Sequence, residues 1–137
     1  MTGLADPESI ERWWQEHSEL DLLVESLEQA MDDGSIARAG AALEELANAL
    51  EEHFTVEERV YFPLVEQLSS EHAPIVRAAS LGHAKIRDRL DTLRDLVANG
   101  EIAPARRGLA VLLDRFRTHE AEEAKLVGEL VKLGVDR

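Results

Sequence analysis

At 137 residues and 45% hydrophobic content, the chain is long enough to bury one substantial core and is expected to form a single domain over residues 1–137. Its net charge of −13 disfavours binding to nucleic acid or an anionic membrane, which require a basic patch, so neither is expected as a partner, and the charge reads instead as a solvated outer face. The absence of cysteine rules out disulfides, thiolate metal sites and thiol catalysis. The opening MTGLADPESIERWW has no basic region followed by an apolar run, and no apolar stretch approaches a membrane span, so a soluble, cytoplasmic protein is expected.

In chain order, the first helix is expected to start at Asp6-Pro7-Glu8, with Asp6 as cap and Pro7 at the first helical position. It ends near Met31, where Asp32-Asp33-Gly34-Ser35 signals a turn. The second runs from Ile36 to Leu68 and contains Pro63, which removes one backbone hydrogen bond and predicts a bend. After a connection at Ser69–Ala73, Pro74 opens a third helix that closes at Asn99-Gly100. Pro104 opens the fourth, which continues to Leu133. The abundance of Leu and Ala beside few aromatics favours helices over sheet. With connections this short, the predicted fold is all-α: an up-down-up-down antiparallel four-helix bundle.

Each helix carries an apolar stripe with steps of three or four residues, the spacing of one helical face. The stripes occupy positions 10-13-17-20-24-27-31, 43-46-50-53-57-60-64, 76-79-83-86-90-93-97 and 109-112-116-119-123-126-130-133. Their polar members are His17 on the first, His53 and Glu57 on the second, His83 on the third, and His119 and Glu123 on the fourth. One such histidine alone reads as a satisfied core residue. Four on four helices, two followed by a stripe glutamate one turn later, call for a shared partner. A buried carboxylate costs several kcal/mol unless paired or coordinated, and the stripes offer no Lys or Arg beside Glu57 or Glu123. A metal pair accounts for all six residues. Oxygen and nitrogen donors without sulfur suit iron or manganese, with zinc as a further option.

The depths agree within each hairpin. His17 lies about fourteen residues before its helix ends and His53 about sixteen after the next begins, while His83 and His119 are each about fifteen residues from their shared turn, at roughly 1.5 Å per residue. The second and third helices match less well, a difference that the bend at Pro63 is expected to absorb. Glu58 and Glu122 fall one residue off the stripes, about 100° around the helix, and read as solvent-facing, as do Glu52 and Glu120.

The segments EHSELDLL around His17, HFTVEERVYFPLVEQL from His53, LGHAKI around His83 and HEAEE from His119 resemble the hemerythrin-like, or HHE cation-binding, family. The Glu-Glu pair followed by Phe62-Pro63-Leu64 is typical of that family's second helix, and the resemblance covers essentially the whole chain. It implies a non-haem di-iron centre, oxo- or hydroxo-bridged, with His17, His53, His83 and His119 as terminal ligands and Glu57 and Glu123 as bridges. Manganese or zinc are the lesser alternatives. The implied function is to bind or react with a small oxidant: dioxygen, peroxide or nitric oxide. The alternatives are a di-iron peroxidase, catalase-like enzyme or ferroxidase, or a metal-dependent sensor module, and the assembly expected is a monomer or weak homodimer.

One departure stands out. Oxygen-carrying hemerythrins use a fifth histidine one turn after the third-helix ligand, where this chain has Arg87. Arginine is no ligand, so coordination is more open, which favours inner-sphere redox chemistry over clean oxygen carriage. Tyr61 and Glu58 are candidates to approach the gap, and Asp21 is a candidate acceptor for an imidazole N–H. His72, in the connection before the third helix, is too far along the chain to contribute. Trp13 and Phe116 read as core that restricts access to the centre, Phe54 and Phe62 as a seal on its other side, and Trp14 as an edge residue.

Overall fold

The computed structural model describes residues 7–68 and 70–135. Among them every regular element is helical: α1 (Pro7–Asp32), α2 (Ile36–Val56), a π-helical turn (Glu57–Tyr61), α3 (Phe62–Leu68), a 3₁₀ turn (Ser70–His72), α4 (Ala73–Ala98) and α5 (Ile102–Val135). The expected cap at Asp6 and the side chains of Ile10, Trp13, Trp14, Leu130 and Leu133 lie outside the described residues. No helix among the described residues is long and apolar enough to cross a membrane.

The helix ends follow local chemistry. After α1, Ser35 N–H donates to Ala30 C=O (3.1 Å) and Gly34 N–H to Met31 C=O (3.0 Å), a closure that needs the positive φ of 70° that Gly34 supplies. Ser35 then caps α2, its hydroxyl accepting from Arg38 N–H. The same closure recurs after α4 at Gly100 (φ 72°), where Glu101 N–H donates to Leu96 C=O. Helix α5 begins two residues earlier than Pro104, which sits in its first turn where a missing N–H costs nothing.

The helix expected over 36–68 departs from plan in one place. Pro63 cannot donate to the carbonyl four residues back, and the turn before it widens so that Phe62 N–H reaches Glu57 C=O, five residues away. A widened turn adds one residue and rotates everything after it. Val60 and Leu64, expected on the stripe, are therefore only partly buried, and Tyr61, Phe62 and Val65 take the inward positions.

Helix α1 packs on α2 and α5, and α4 packs on α5 and α2. The core is divided in two. A large cluster includes Leu27, Leu43, Leu46, Leu50, Ile86, Leu93 and Leu112; a small one gathers Tyr61, Phe62, Val65, Val76, Ala79 and Leu126. Along the second helix, α4 and α5 alike, the buried polar residues stand between members of the two clusters.

Candidate metal centre

The six stripe residues, His17, His53, Glu57, His83, His119 and Glu123, meet in that intervening layer, none more than 5% exposed. Each carboxylate oxygen has a nearest histidine of its own, and the Glu123 oxygens also lie 3.8 Å from His53 Nε2 and 3.6 Å from His83 Nε2. Glu123 Oε1 lies 2.8 Å from His17 Nε2, and its Oε2 lies 2.8 Å from His119 Nε2. Glu57 Oε1 lies 2.9 Å from His83 Nε2, and its Oε2 lies 3.2 Å from His53 Nε2. The donors fall into two groups, His17, His53, Glu57 and Glu123, and Glu57, His83, His119 and Glu123, each with its ligand atoms within 4.8 Å of one another. Both groups share both carboxylates.

Burial and hydrogen bonding define the electrostatics. Burial opposes charge on His53, but hydrogen bonds to Glu123, Glu16 and Glu57 outweigh it and push the imidazole up to about 12. His83 behaves alike: against burial, Glu123, Glu57 and Glu58 raise it to about 9. Glu123, despite the burial that would raise it, is held well below the ordinary carboxylate range by hydrogen bonds with Glu57, His119, His17 and His53. Protons thus hold the layer together, and a cation placed there would displace them. The donor set fits one. His53 Nε2, His119 Nε2 and Glu123 Oε2 are buried, and their short contacts across the layer miss good hydrogen-bond geometry, so all three face the layer incompletely satisfied. Six nitrogen and oxygen donors with no sulfur match a hard or borderline metal.

The outer nitrogens of two histidines are fixed by acids. His53 Nδ1 donates to Glu16 Oε2 (2.9 Å) and His83 Nδ1 to Glu58 Oε2 (2.6 Å), so that a cation displacing the inner protons would find each Nε2 lone pair facing inward. Glu58 is clamped in turn by Arg87 Nη1 (3.1 Å), and Arg87 makes a forked pair with Glu51 through Nε (3.0 Å) and Nη2 (3.1 Å). The Arg87 guanidinium lies 5.3 Å from the centroid of the Phe54 ring. Phe54 stacks on the His83 ring at 3.9 Å and 16°, and Phe62 at 5.4 Å and 23°. His83 is held from three sides.

A family model, the hemerythrin HHE cation-binding domain, matches residues 8–131. The chain belongs to that family. No curated protein and no solved structure gives a significant match.

Within this HHE domain several sequence expectations change. Glu58, expected to face solvent, instead holds His83. The stripe rule asks only which side chains point at the bundle axis, whereas an imidazole has a second nitrogen that points to the flank, where an off-stripe acid on the neighbouring helix can reach it. Glu16, one residue before His17, does the same for His53 and was not anticipated. An acid next to a stripe histidine was the available signal, although Glu52, which shares it, is exposed as expected. Glu120 and Glu122 are partly buried rather than solvent-facing, and burial, with the carboxylate of Asp21, pushes Glu120 up to about 7. Asp21 itself is exposed, and the acceptor roles fall to Glu16 and Glu58. Tyr61 packs in the small apolar cluster, where burial raises its hydroxyl. His72 stands apart, paired with Glu129 at 3.4 Å. Phe116 is buried in the large cluster, and Phe54 and Phe62 flank His83 as a seal.

Proposed function

We propose that this HHE domain holds two iron ions, one between His17 and His53 and the other between His83 and His119, bridged by Glu57 and Glu123, and that it binds or reacts with dioxygen, peroxide or nitric oxide. The observation that carries this reading is the sharing of both carboxylates between two donor groups, each oxygen turned to a different histidine. Order along the chain supports the matching up-down-up-down topology, since the large cluster follows the polar layer in α1 and α4 and precedes it in α2 and α5.

When bound, such a pair supplies redox equivalents and Lewis acidity to a small oxidant. The chain's own contribution is geometric. Glu16 and Glu58 keep the Nδ1 protons of His53 and His83 in place, so that neither ring turns its lone pair away. Glu57 and Glu123 provide the negative charge, and Phe54, Phe62 and Phe116 exclude water around them.

The test is metal analysis of natively purified protein. About two iron ions per chain are expected from six converging donors, with optical changes on adding oxygen or peroxide. Glu57→Ala and Glu123→Ala should each abolish tight binding, a loss of several kcal/mol for a buried charged ligand. One tightly held zinc, with no second site under anaerobic iron loading, would overturn the di-iron reading. Steady turnover of peroxide at catalytic protein concentration would assign an enzyme, and stoichiometric, reversible spectra a binder.

A further inference from the structure

Among the described residues, two surface cavities reach a histidine of the buried layer, and they differ in both floor and charge. One, of about 300 Å³ between α1 and α2, meets His53 and carries Glu16, Glu19 and Glu52. Its floor is closed to guests, because His53 Nδ1 is already taken by Glu16 at 2.9 Å. The other, of about 230 Å³ between α4 and α5, is lined by Ala78, Leu81 and Gly82 on one side and Thr118, His119 and Glu122 on the other. There the floor is open. His119 is 2% exposed and its Nδ1 has no hydrogen-bond partner among the described protein groups, unlike His53 and His83 with their acids.

Gly82 makes that opening. A Cβ on residue 82 would stand 2.7 Å from His119 Nδ1 and 3.5 Å from Cε1, so any other side chain would press on the ring and cover the nitrogen. With a cation in the layer taking the Nε2 lone pair that now faces Glu123, the proton of His119 would sit on Nδ1 and present a buried donor to the cavity. A buried N–H without an acceptor is costly, and a small guest with a lone pair satisfies it. The rim suits such a guest. Lys85 and Arg115 offset Asp114 and Glu122, so on a chain of net charge −13 this mouth is locally balanced, whereas the mouth above His53 is wholly acidic.

We propose that the cavity between α4 and α5 is the port by which small neutral or anionic solutes reach the layer, docking against His119 Nδ1–H beside Gly82. The proposal rests on the metal-centre reading above. The His119 ring, without an acid to lock it, is the ligand that yields to let the guest pass. Small oxidants and anions use this side.

The test uses iron-loaded protein mixed rapidly with azide as the probe, following the rate at which the optical change develops. Ala78→Phe, at an exposed lining position of α4, should slow the azide on-rate about tenfold, with iron content and final spectrum unchanged. Thr118→Phe plugs the same cavity from α5 and serves as the second variant. Glu52→Phe, at the mouth of the cavity over His53, should leave the rate within about twofold of the parent. In protein loaded with diamagnetic zinc, the His119 Nδ1–H should exchange rapidly with solvent by nitrogen-15 NMR, and slowly in Ala78→Phe. A parent chain that takes up no iron overturns the metal-centre reading and this proposal together. Normal iron content with rates unmoved by both plugs, or slowed by Glu52→Phe instead, overturns the port alone.

Discussion

The large apolar cluster and the small one flank the same polar layer, yet only the first follows an uninterrupted helical period. Leu43, Leu46 and Leu50 on α2, and Ile86, Leu90, Leu93 and Val97 on α4, step inward by three or four residues without a break. The small cluster takes its second-helix members, Tyr61, Phe62 and Val65, from beyond the π turn, one position later than the period dictates. A regular helix makes its core readable residue by residue. One widened turn moves the reading frame, and every later side chain with it.

The largest expected effect is in the regular half. Leu46→Ala removes a 1% exposed side chain from the large cluster and should destabilise metal-free protein by about 2–5 kcal/mol in chemical denaturation. Val65→Ala, which deletes fewer carbons from the small cluster, should cost less. A greater loss at Val65 would show that the small cluster, not the large one, anchors the bundle.

Next comes the layer between them. In metal-free protein His53 is raised to about 12 and His83 to about 9 from an unfolded value of 6.5. A raised histidine contributes stability fully below its unfolded value and loses it as pH climbs through the folded one. Thermal melts of metal-free protein should therefore fall between pH 6.5 and 9, on the order of 1 kcal/mol per pH unit for each group. Metal-loaded protein, its protons already displaced, should melt with far less dependence over that window. A metal-free form that gained stability across the same range would contradict the hydrogen-bonded arrangement described for His53 and His83.

A smaller effect belongs to the clamp on His83. Glu58→Ala leaves the Nδ1 proton without its acceptor and should weaken metal binding about 10–100-fold, measured by competition with a chelator. Glu58→Gln should recover part of this, since an amide oxygen still accepts. The smallest effect is expected at Glu52, equally adjacent to a stripe histidine but exposed: Glu52→Ala should change stability by no more than roughly 0.5 kcal/mol. Equal losses at Glu58 and Glu52 would erase the distinction between a flank that meets a histidine and a flank that meets water.

Much of this was legible without coordinates. The stripe through His17, His53, His83 and His119 requires only the 3.6-residue period, and Ser35, Gly34, Gly100 and Pro74 mark helix ends by local backbone chemistry. Glu57 and Glu123 stand out because an acid on an apolar face demands an explanation. Glu16 and Glu58 do not stand out, because both lie one residue off their stripes in a chain with 28 acidic residues.

Helical period, caps and the placement of six polar residues on four apolar faces are local properties, written in steps of three and four along the chain. The tertiary structure alone decided the rest. How Pro63 would be accommodated depended on whether the turn before it bent or widened, and widening rotated Tyr61 and Val65 inward. Which acid holds each outer imidazole nitrogen depended on the rotation of one helix against its neighbour, which brought Glu58 to His83 and Glu16 to His53 across helix interfaces. Arg87, which by sequence offered only a missing ligand, acquired its place over Phe54 and between Glu51 and Glu58 from the same packing. Contacts between helices depend on relative rotation and depth, and neither quantity is carried by the period of a single helix.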